Sequence, residues 1–193
     1  KPILENNAIN GLPAVKFDGA SGVNGDYLEA NDVAAYFTGD DKPMSAFVVF
    51  NQKNISVTCQ ILSLSRSSNN NPVMYSKADP NVVNIFGKRD DSGAIPTSTT
   101  IANIQKPNII SYSYSGTNVS TYFNKNIVVN NGSFNSGPLT LNQFSIAAVT
   151  RGGPLYHCNG HFGEIIVFDR ALKKEEMLSV IDYLGKKWGI KLG

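Results

Sequence analysis

The 193-residue chain is long enough for one domain with a sizeable core and short for two. Hydrophobic residues make up 41% and charged residues 17%, with a net charge of +2; Lys and Arg are scattered, which excludes the massed basic face of a nucleic-acid binder. No run approaches the roughly 18 consecutive apolar residues of a membrane span and no signal peptide opens the chain, so no membrane insertion is expected. Because the first residue is Lys1, residues 1–193 are expected to be one domain of a longer or processed product.

The polarity comes mostly from Asn, Ser and Thr, which favour turns and depress helix propensity. Ala14-Val15-Lys16-Phe17 is a short apolar run ending in Asp18-Gly19; a Gly-rich turn to Gly25 follows, then Asp26-Tyr27-Leu28-Glu29. Ser45–Asn51 has the composition and length of a buried strand. Ser56–Ser65 alternates, with Val57, Cys59 and Ile61 facing one way. The Asn-rich stretch Ser67–Asn71 reads as a loop, and Pro72–Ser76 and Val82–Phe86 as weaker strands.

In Ile109–Ser115 the alternation places Ile110, Tyr112 and Tyr114 on one face. Ser120–Phe123 and Ile127–Val129 flank Asn124-Lys125-Asn126, a hairpin whose asparagines tolerate left-handed backbone. Phe144–Ala148 and Gly163–Asp169 complete the strands. Helical period appears only in Lys173–Lys187, which aligns Met177, Val180, Ile181 and Leu184, with Asp169 as the start signal and Gly189 as the stop. Many short strands and one terminal helix predict an all-β fold, a two-sheet antiparallel jelly-roll β-sandwich with a C-terminal helix.

Three segments carry a resemblance: Ile9–Gly19 with Asp26-Tyr27-Leu28, then Ser120–Asn126, then Gly163–Leu172 continuing through Tyr183–Ile190. Together they resemble the laminin-G-like branch of the concanavalin A-like lectin/glucanase superfamily, in its bacterial and phage-type subgroup. The resemblance covers most of the chain in order, but little of Asn69–Gln105. It implies a jelly roll used for display and adhesion on cell surfaces or virions, with glycans, cell-surface ligands or neighbouring virion or surface-protein subunits as partners.

Glycosidases of that superfamily need two carboxylates about 5 Å apart on one strand face. The adjacent pairs Asp40-Asp41, Asp90-Asp91 and Glu175-Glu176 do not supply this, and Glu164 stands alone, read as a structural partner of a base such as Arg170. No catalytic site is expected. His157-Cys158-Asn159-Gly160-His161 offers zinc-type donors but lacks a second cluster, so it reads as a polar turn. The resemblance also implies a calcium option at the sandwich rim, where Asp18, Asn24 and Asp26 flank the Gly-rich loop; the same residues are ordinary turn formers. No other cofactor is expected. Cys59 and Cys158 form either one disulfide in an oxidising compartment or two buried thiols; a core of this size does not require a staple, so thiols are expected.

Sugars bind on aromatic faces with amides supplying hydrogen bonds. Tyr112, Tyr114 and Tyr122, with Asn118 and Asn124, are therefore the candidate glycan face, against the alternative that these rings fill the inter-sheet core. The expectation is a lectin-like display module, extracellular, on a cell surface or on a virion. The rival is a structural phage component making protein contacts alone, and a polysaccharide-active enzyme ranks third.

Overall fold

Ser45–Phe50 is apolar at nearly every position, and its two faces pack against different partners. Ala46, Val48 and Phe50 enter the core between two sheets, whereas Phe47 and Val49 meet the C-terminal helix on the other side. A strand covered on both faces loses the in/out alternation of a half-exposed one. This strand is central to the computed structural model, which describes residues 1–20, 24–53, 56–80, 82–91, 100–101, 106–134 and 137–193.

In chain order the described elements are β1 (Ile3–Ile9), β2 (Leu12–Asp18), β3 (Leu28–Glu29), α1 (Asn31–Ala34), β4 (Gly39–Asp40), β5 (Met44–Gln52), β6 (Cys59–Arg66), β7 (Asn69–Asp79) and β8 (Val82–Arg89). Then come β9 (Thr100–Ile101), β10 (Asn108–Tyr114), β11 (Asn118–Phe123), β12 (Asn126–Ser133), β13 (Pro138–Leu139), β14 (Gln143–Ile146), β15 (Asn159–Phe168) and α2 (Lys174–Trp188). Seven strands form one sheet in the order β1-β2-β15-β5-β10-β11-β12 and six form the other, β3-β14-β6-β7-β8-β9; β4 and β13 make a short separate pair. Among the described residues every neighbouring pair in the two sheets runs antiparallel. The predicted all-β sandwich with one C-terminal helix is what the chain forms.

The α2 stripe lies on the outer face of the seven-stranded sheet, where Met177, Ile181, Leu184 and Trp188 pack on Ile9, Ala14, Phe47 and Val49. Each fully buried aliphatic side chain there is worth roughly 1.5–3 kcal/mol, more than helix propensity supplies. Gly189 ends the helix with φ 62°, the left-handed position that glycine occupies without strain. The helix begins at Lys174, with Lys173 as its N-cap, not beside Asp169. The Lys173 N–H donates to Glu176 at 2.8 Å.

Three local readings change. β1 is a full strand that composition hides, since Glu5, Asn6 and Asn7 interrupt it; its turn into β2 is Asn10-Gly11, with φ 45° and 87°. The stretch Ser67–Asn71 is the tight hairpin into β7, which starts at Asn69. Val57 precedes β6 and is exposed rather than facing inward with Cys59 and Ile61.

Among the described residues, no helix covers the outer face of the six-stranded sheet. Register shifts between Gln60 and Leu62 in β6, and opposite Tyr75–Lys77 in β8, send two consecutive residues inward on each strand, Ile61-Leu62 and Ile85-Phe86. Gln60, Ser63 and Ser65 of β6, Val73, Tyr75 and Lys77 of β7, and Arg89 of β8 fall on the other side. Cross-strand pairs confirm the shared face: Gln60 with Lys77, Ser63 with Tyr75, Ser65 with Val73, and Val73 with Arg89.

Candidate functional site

The tyrosines of the candidate glycan face present no ring to solvent: Tyr112, Tyr114 and Tyr122 are 1%, 0% and 2% exposed. Tyr112 and Tyr114 do share a face, but it is the inter-sheet core, where both meet the ring of Phe86. The Tyr112 hydroxyl donates to Met44 Sδ at 3.6 Å, and burial pushes its phenol pKa up. The Tyr114 hydroxyl accepts from the buried Lys88 ammonium at 3.0 Å and donates to the Gly116 carbonyl. Tyr122 is on the neighbouring strand but faces α2. Rings at alternate positions between two covered layers are core because both faces are occupied.

Asn124 is a turn residue with φ 52°, its side-chain oxygen accepting the Ile109 N–H at 2.9 Å. Asn118 donates to the Asn131 carbonyl at 3.2 Å. Neither amide joins an aromatic face.

Asp18 Oδ1 accepts the Ala20 N–H at 2.9 Å and the Asp26 N–H at 3.4 Å, so it organises the backbone of its own loop. Asn24 is exposed and Asp26 buried; residues 21–23 lie outside the described residues. Among the described residues no three His, Cys, Asp or Glu side chains converge as a metal site. His157 Nδ1 lies 3.2 Å from the Asp26 carbonyl, while His161 meets Glu5 at 3.3 Å, so the two imidazoles point to different partners; the His-Cys-Asn-Gly-His segment is not the expected polar turn, since Asn159–His161 open β15.

Cys158 is bonded to Cys59, against the expectation of free thiols. The strand layout brings the two Cα atoms to 4.7 Å across 99 residues of sequence, inside disulfide range. Core size says nothing about such an approach.

Glu164 pairs with Lys187 at 2.8 Å rather than with Arg170, which is engaged by Glu176. It also accepts from Trp188 Nε1 at 2.8 Å and from the Tyr183 hydroxyl at 3.3 Å, tying α2 to β15. Burial raises its pKa, but the bonds from Lys187 and Trp188, with smaller contributions, outweigh that and hold the carboxyl below its ordinary range. A depressed carboxyl stabilises the fold above the unfolded-state pKa, and that stabilisation is lost as pH falls through the folded value. Glu164→Gln is therefore expected to lower stability by about 1–3 kcal/mol at pH 7. Thermal melts of the two proteins are expected to converge as pH falls through the folded Glu164 pKa; a gap that stays constant through the acid range would contradict this assignment.

A concave, polar feature assembled from several strands lies elsewhere, on the outer face of the six-stranded sheet. There an open cleft of about 200 Å³ is floored by Gln60, Val73, Tyr75 and Lys77 and walled by Arg89, Arg151 and Tyr156, with Thr58 at its end. Three of these are cations, Lys77 paired with Asp79 and Arg89 and Arg151 each engaged within the protein, and no acidic side chain is among the described lining residues. Gln60 is 4% exposed and its Oε1 is buried without a hydrogen-bond partner among the described residues, an unsatisfied acceptor at the cleft floor. Behind the floor, Asp79 holds Lys77 at 2.9 Å, the Thr58 hydroxyl at 2.9 Å and the Asn84 amide at 2.8 Å. Val57 and Leu155, the sequence neighbours of Thr58 and Tyr156, are both exposed.

Tyr75 lies across Gly87, its cross-strand neighbour in β8. A Cβ at that position would overlap the Tyr75 ring at Cζ, Cε2 and Oη. Gly87→Ala is expected to lift the ring from the floor, read as a shift of the Tyr75 ring resonances; unchanged resonances would contradict the packing of Tyr75 on Gly87.

None of these cleft residues was a sequence candidate. The available signal was Val73-x-Tyr75-x-Lys77, alternate positions carrying large polar groups on a strand whose other face, Met74 and Ala78, is apolar.

No family model matches the sequence, and no curated relative matches it. Solved structures share the fold. The NanB sialidase from Streptococcus pneumoniae, as its K499G mutant, superposes with a TM-score of 0.66 at 15% identity over 84% of this chain and 27% of its own. The Ruminococcus gnavus IT-sialidase CBM40 bound to α2,3 sialyllactose gives 0.65 at 11% identity, over 86% of this chain and 96% of that one. The botulinum neurotoxin serotype G binding domain gives 0.66 at 12% identity, over 98% and 47%. The chain thus spans about a quarter of the sialidase and nearly all of the CBM40 domain. At these identities the likeness defines a class of fold, a two-sheet antiparallel β-sandwich.

Proposed function

We propose that the chain is a non-catalytic, lectin-like module that binds an acidic sugar in the cleft of the six-stranded sheet, within a larger protein displayed outside the cytoplasm. The observation that carries the reading is the convergence of Arg89, Arg151 and Lys77 with two tyrosines and the buried Gln60 acceptor. An arginine fork grips a carboxylate in two parallel hydrogen bonds, which a neutral hexose cannot offer. Tyr75 and Tyr156 supply apolar ring surface, and the Gln60 oxygen accepts a hydroxyl. The cleft volume suits a single ring rather than a long oligosaccharide. The Cys59–Cys158 bond supports an oxidising location. The CBM40 structure bearing sialyllactose supports a sialic-acid-type ligand, since sialic acid carries a carboxylate on a pyranose ring.

The test is calorimetric titration with α2,3- and α2,6-sialyllactose against lactose. Both sialosides are expected to bind, with affinity falling as salt rises, and lactose is expected to give no heat. Equal binding of lactose, or no binding by either sialoside, would overturn the proposal.

A further inference from the structure

We propose that β15 carries a docking edge for a second copy of this chain, whose own β15 pairs antiparallel with it and joins the two seven-stranded sheets. The inference goes beyond the sugar site and holds whatever the cleft binds. Among the described residues β2 pairs with β15 only from Asn159 to Phe162, whereas β5 pairs with it as far as Phe168. Pro13 has no N–H to give a ladder, and the end of the β1–β2 hairpin packs on the helix C-terminus instead. There Ile9, Leu12 and Ala14 meet Trp188, and the Asn10 amide donates to the Trp188 carbonyl at 2.9 Å. From Glu164 to Phe168, β15 is therefore a sheet edge, although its first half is interior.

Burial follows the same division. Ile165, Ile166, Val167 and Phe168 are all half-buried, while the residues opposite them in β5, Val48, Phe47, Ala46 and Ser45, are at most 1% exposed. An apolar groove lies on each side of the edge. On the core side Ile165 meets Val15, Leu28 and Ile146 around about 120 Å³, and on the helix side Phe168, Leu172 and Val180 line about 400 Å³. A half-exposed apolar edge of this kind is completed by a further strand.

A second copy fits because the segment matches itself. Antiparallel pairing centred on Ile166 sets Ile165 opposite the partner subunit's Val167 and Glu164 opposite the partner subunit's Phe168. Opposed residues then lie on the same face of the joined sheet, apolar against apolar in the core-side pair. The charges match as well. Beside the edge, the helix flank carries Glu176 bound to Arg170 at one end and Lys187 bound to Glu164 at the other. A two-fold axis sets these flanks end for end, so Arg170 faces the partner subunit's Glu164 and Glu176 faces the partner subunit's Lys187. The axis stands perpendicular to the joined sheet, so both clefts open on one side and the pair is bivalent.

Sedimentation velocity over a concentration series is expected to show the mass rising from 20.9 kDa to twice that value. A parent that stays monomeric at every concentration would overturn the inference and leave the edge to another segment. Val167→Lys, which sets a charge in the core-side groove, is expected to sediment as a monomer with an unchanged circular dichroism spectrum. Folded Val167→Lys that dimerises like the parent would count against the proposal. Cysteine cross-linking locates the contact without relying on that variant. Cys59 and Cys158 are bonded to each other, so an introduced cysteine is the sole thiol. Ile166→Cys lies on the axis, where opposed Cβ atoms are about 4.5–5.5 Å apart, and is expected to give a covalent dimer on mild oxidation. Ile127→Cys, 40% exposed on β12 at the other end of the sheet, is expected to stay uncross-linked. Cross-linking at position 127 in place of 166 would place the contact on the wrong edge and sink the idea.

Discussion

Arg89→Ala and Arg151→Ala are each expected to weaken sialyllactose binding by about 30- to 150-fold, the equivalent of roughly 2–3 kcal/mol for one partner of a hydrogen-bonded charge pair. The two side chains come from different elements, β8 and the loop before β15, and meet only at the cleft. Each is half-buried, so its charge is less screened than that of a surface lysine. Replacement by lysine keeps the charge but removes the planar fork, and an intermediate loss is expected at both positions. Calorimetry on the four variants, with melting curves to confirm folding, reads these effects directly. An alanine variant that binds like the parent would detach that arginine from the site.

Removal of the Cys59–Cys158 bond is expected to lower stability by about 3–5 kcal/mol. The chain-entropy term grows with the logarithm of the loop closed, and here the loop spans 99 residues. For a domain near 200 residues each kcal/mol moves Tm by roughly 2–4 °C, so Cys59→Ser/Cys158→Ser should melt about 6–20 °C lower. Scanning calorimetry of parent and variant measures the difference. An unchanged Tm, or two titratable thiols in the unfolded non-reduced parent, would contradict the bond.

The sandwich was legible in the sequence because burial writes its period locally. The α2 stripe from Met177 to Leu184, the glycine stop at Gly189 and the alternation through Tyr112 and Tyr114 each follow from contacts within a few turns or residues. Alternation alone, however, does not say what covers each face. Tyr112 and Tyr114 look alike as core or as sugar platform until the six-stranded sheet puts Phe86 against both rings. Tyr122 was adjacent in strand order, yet its side of the sheet depended on where α2 docks.

The cleft was not legible, because no stretch contains it. Thr58 and Gln60, Tyr75 and Lys77, Arg89, and the Arg151–Tyr156 loop meet through register and two bulges, and a bulge reverses the facing that simple alternation assigns. The Cys59–Cys158 pair is invisible for the same reason, since its 4.7 Å Cα approach comes from strand placement across most of the chain. Glu164 shows the limit on charge pairing: Arg170 is nearer in sequence, but the helix laid over β15 brings Lys187 and Trp188 to it instead.

The most direct measurement is amide chemical-shift mapping of the isotope-labelled domain as α2,3-sialyllactose is added. The largest shifts are expected at Gln60, Tyr75, Lys77, Gly87, Arg89 and Arg151–Tyr156, with the Asn118 and Asn124 turns unmoved. Shifts confined to those turns, to the Asp18–Asp26 loop or to α2 would contradict a sugar site on the open face of the six-stranded sheet.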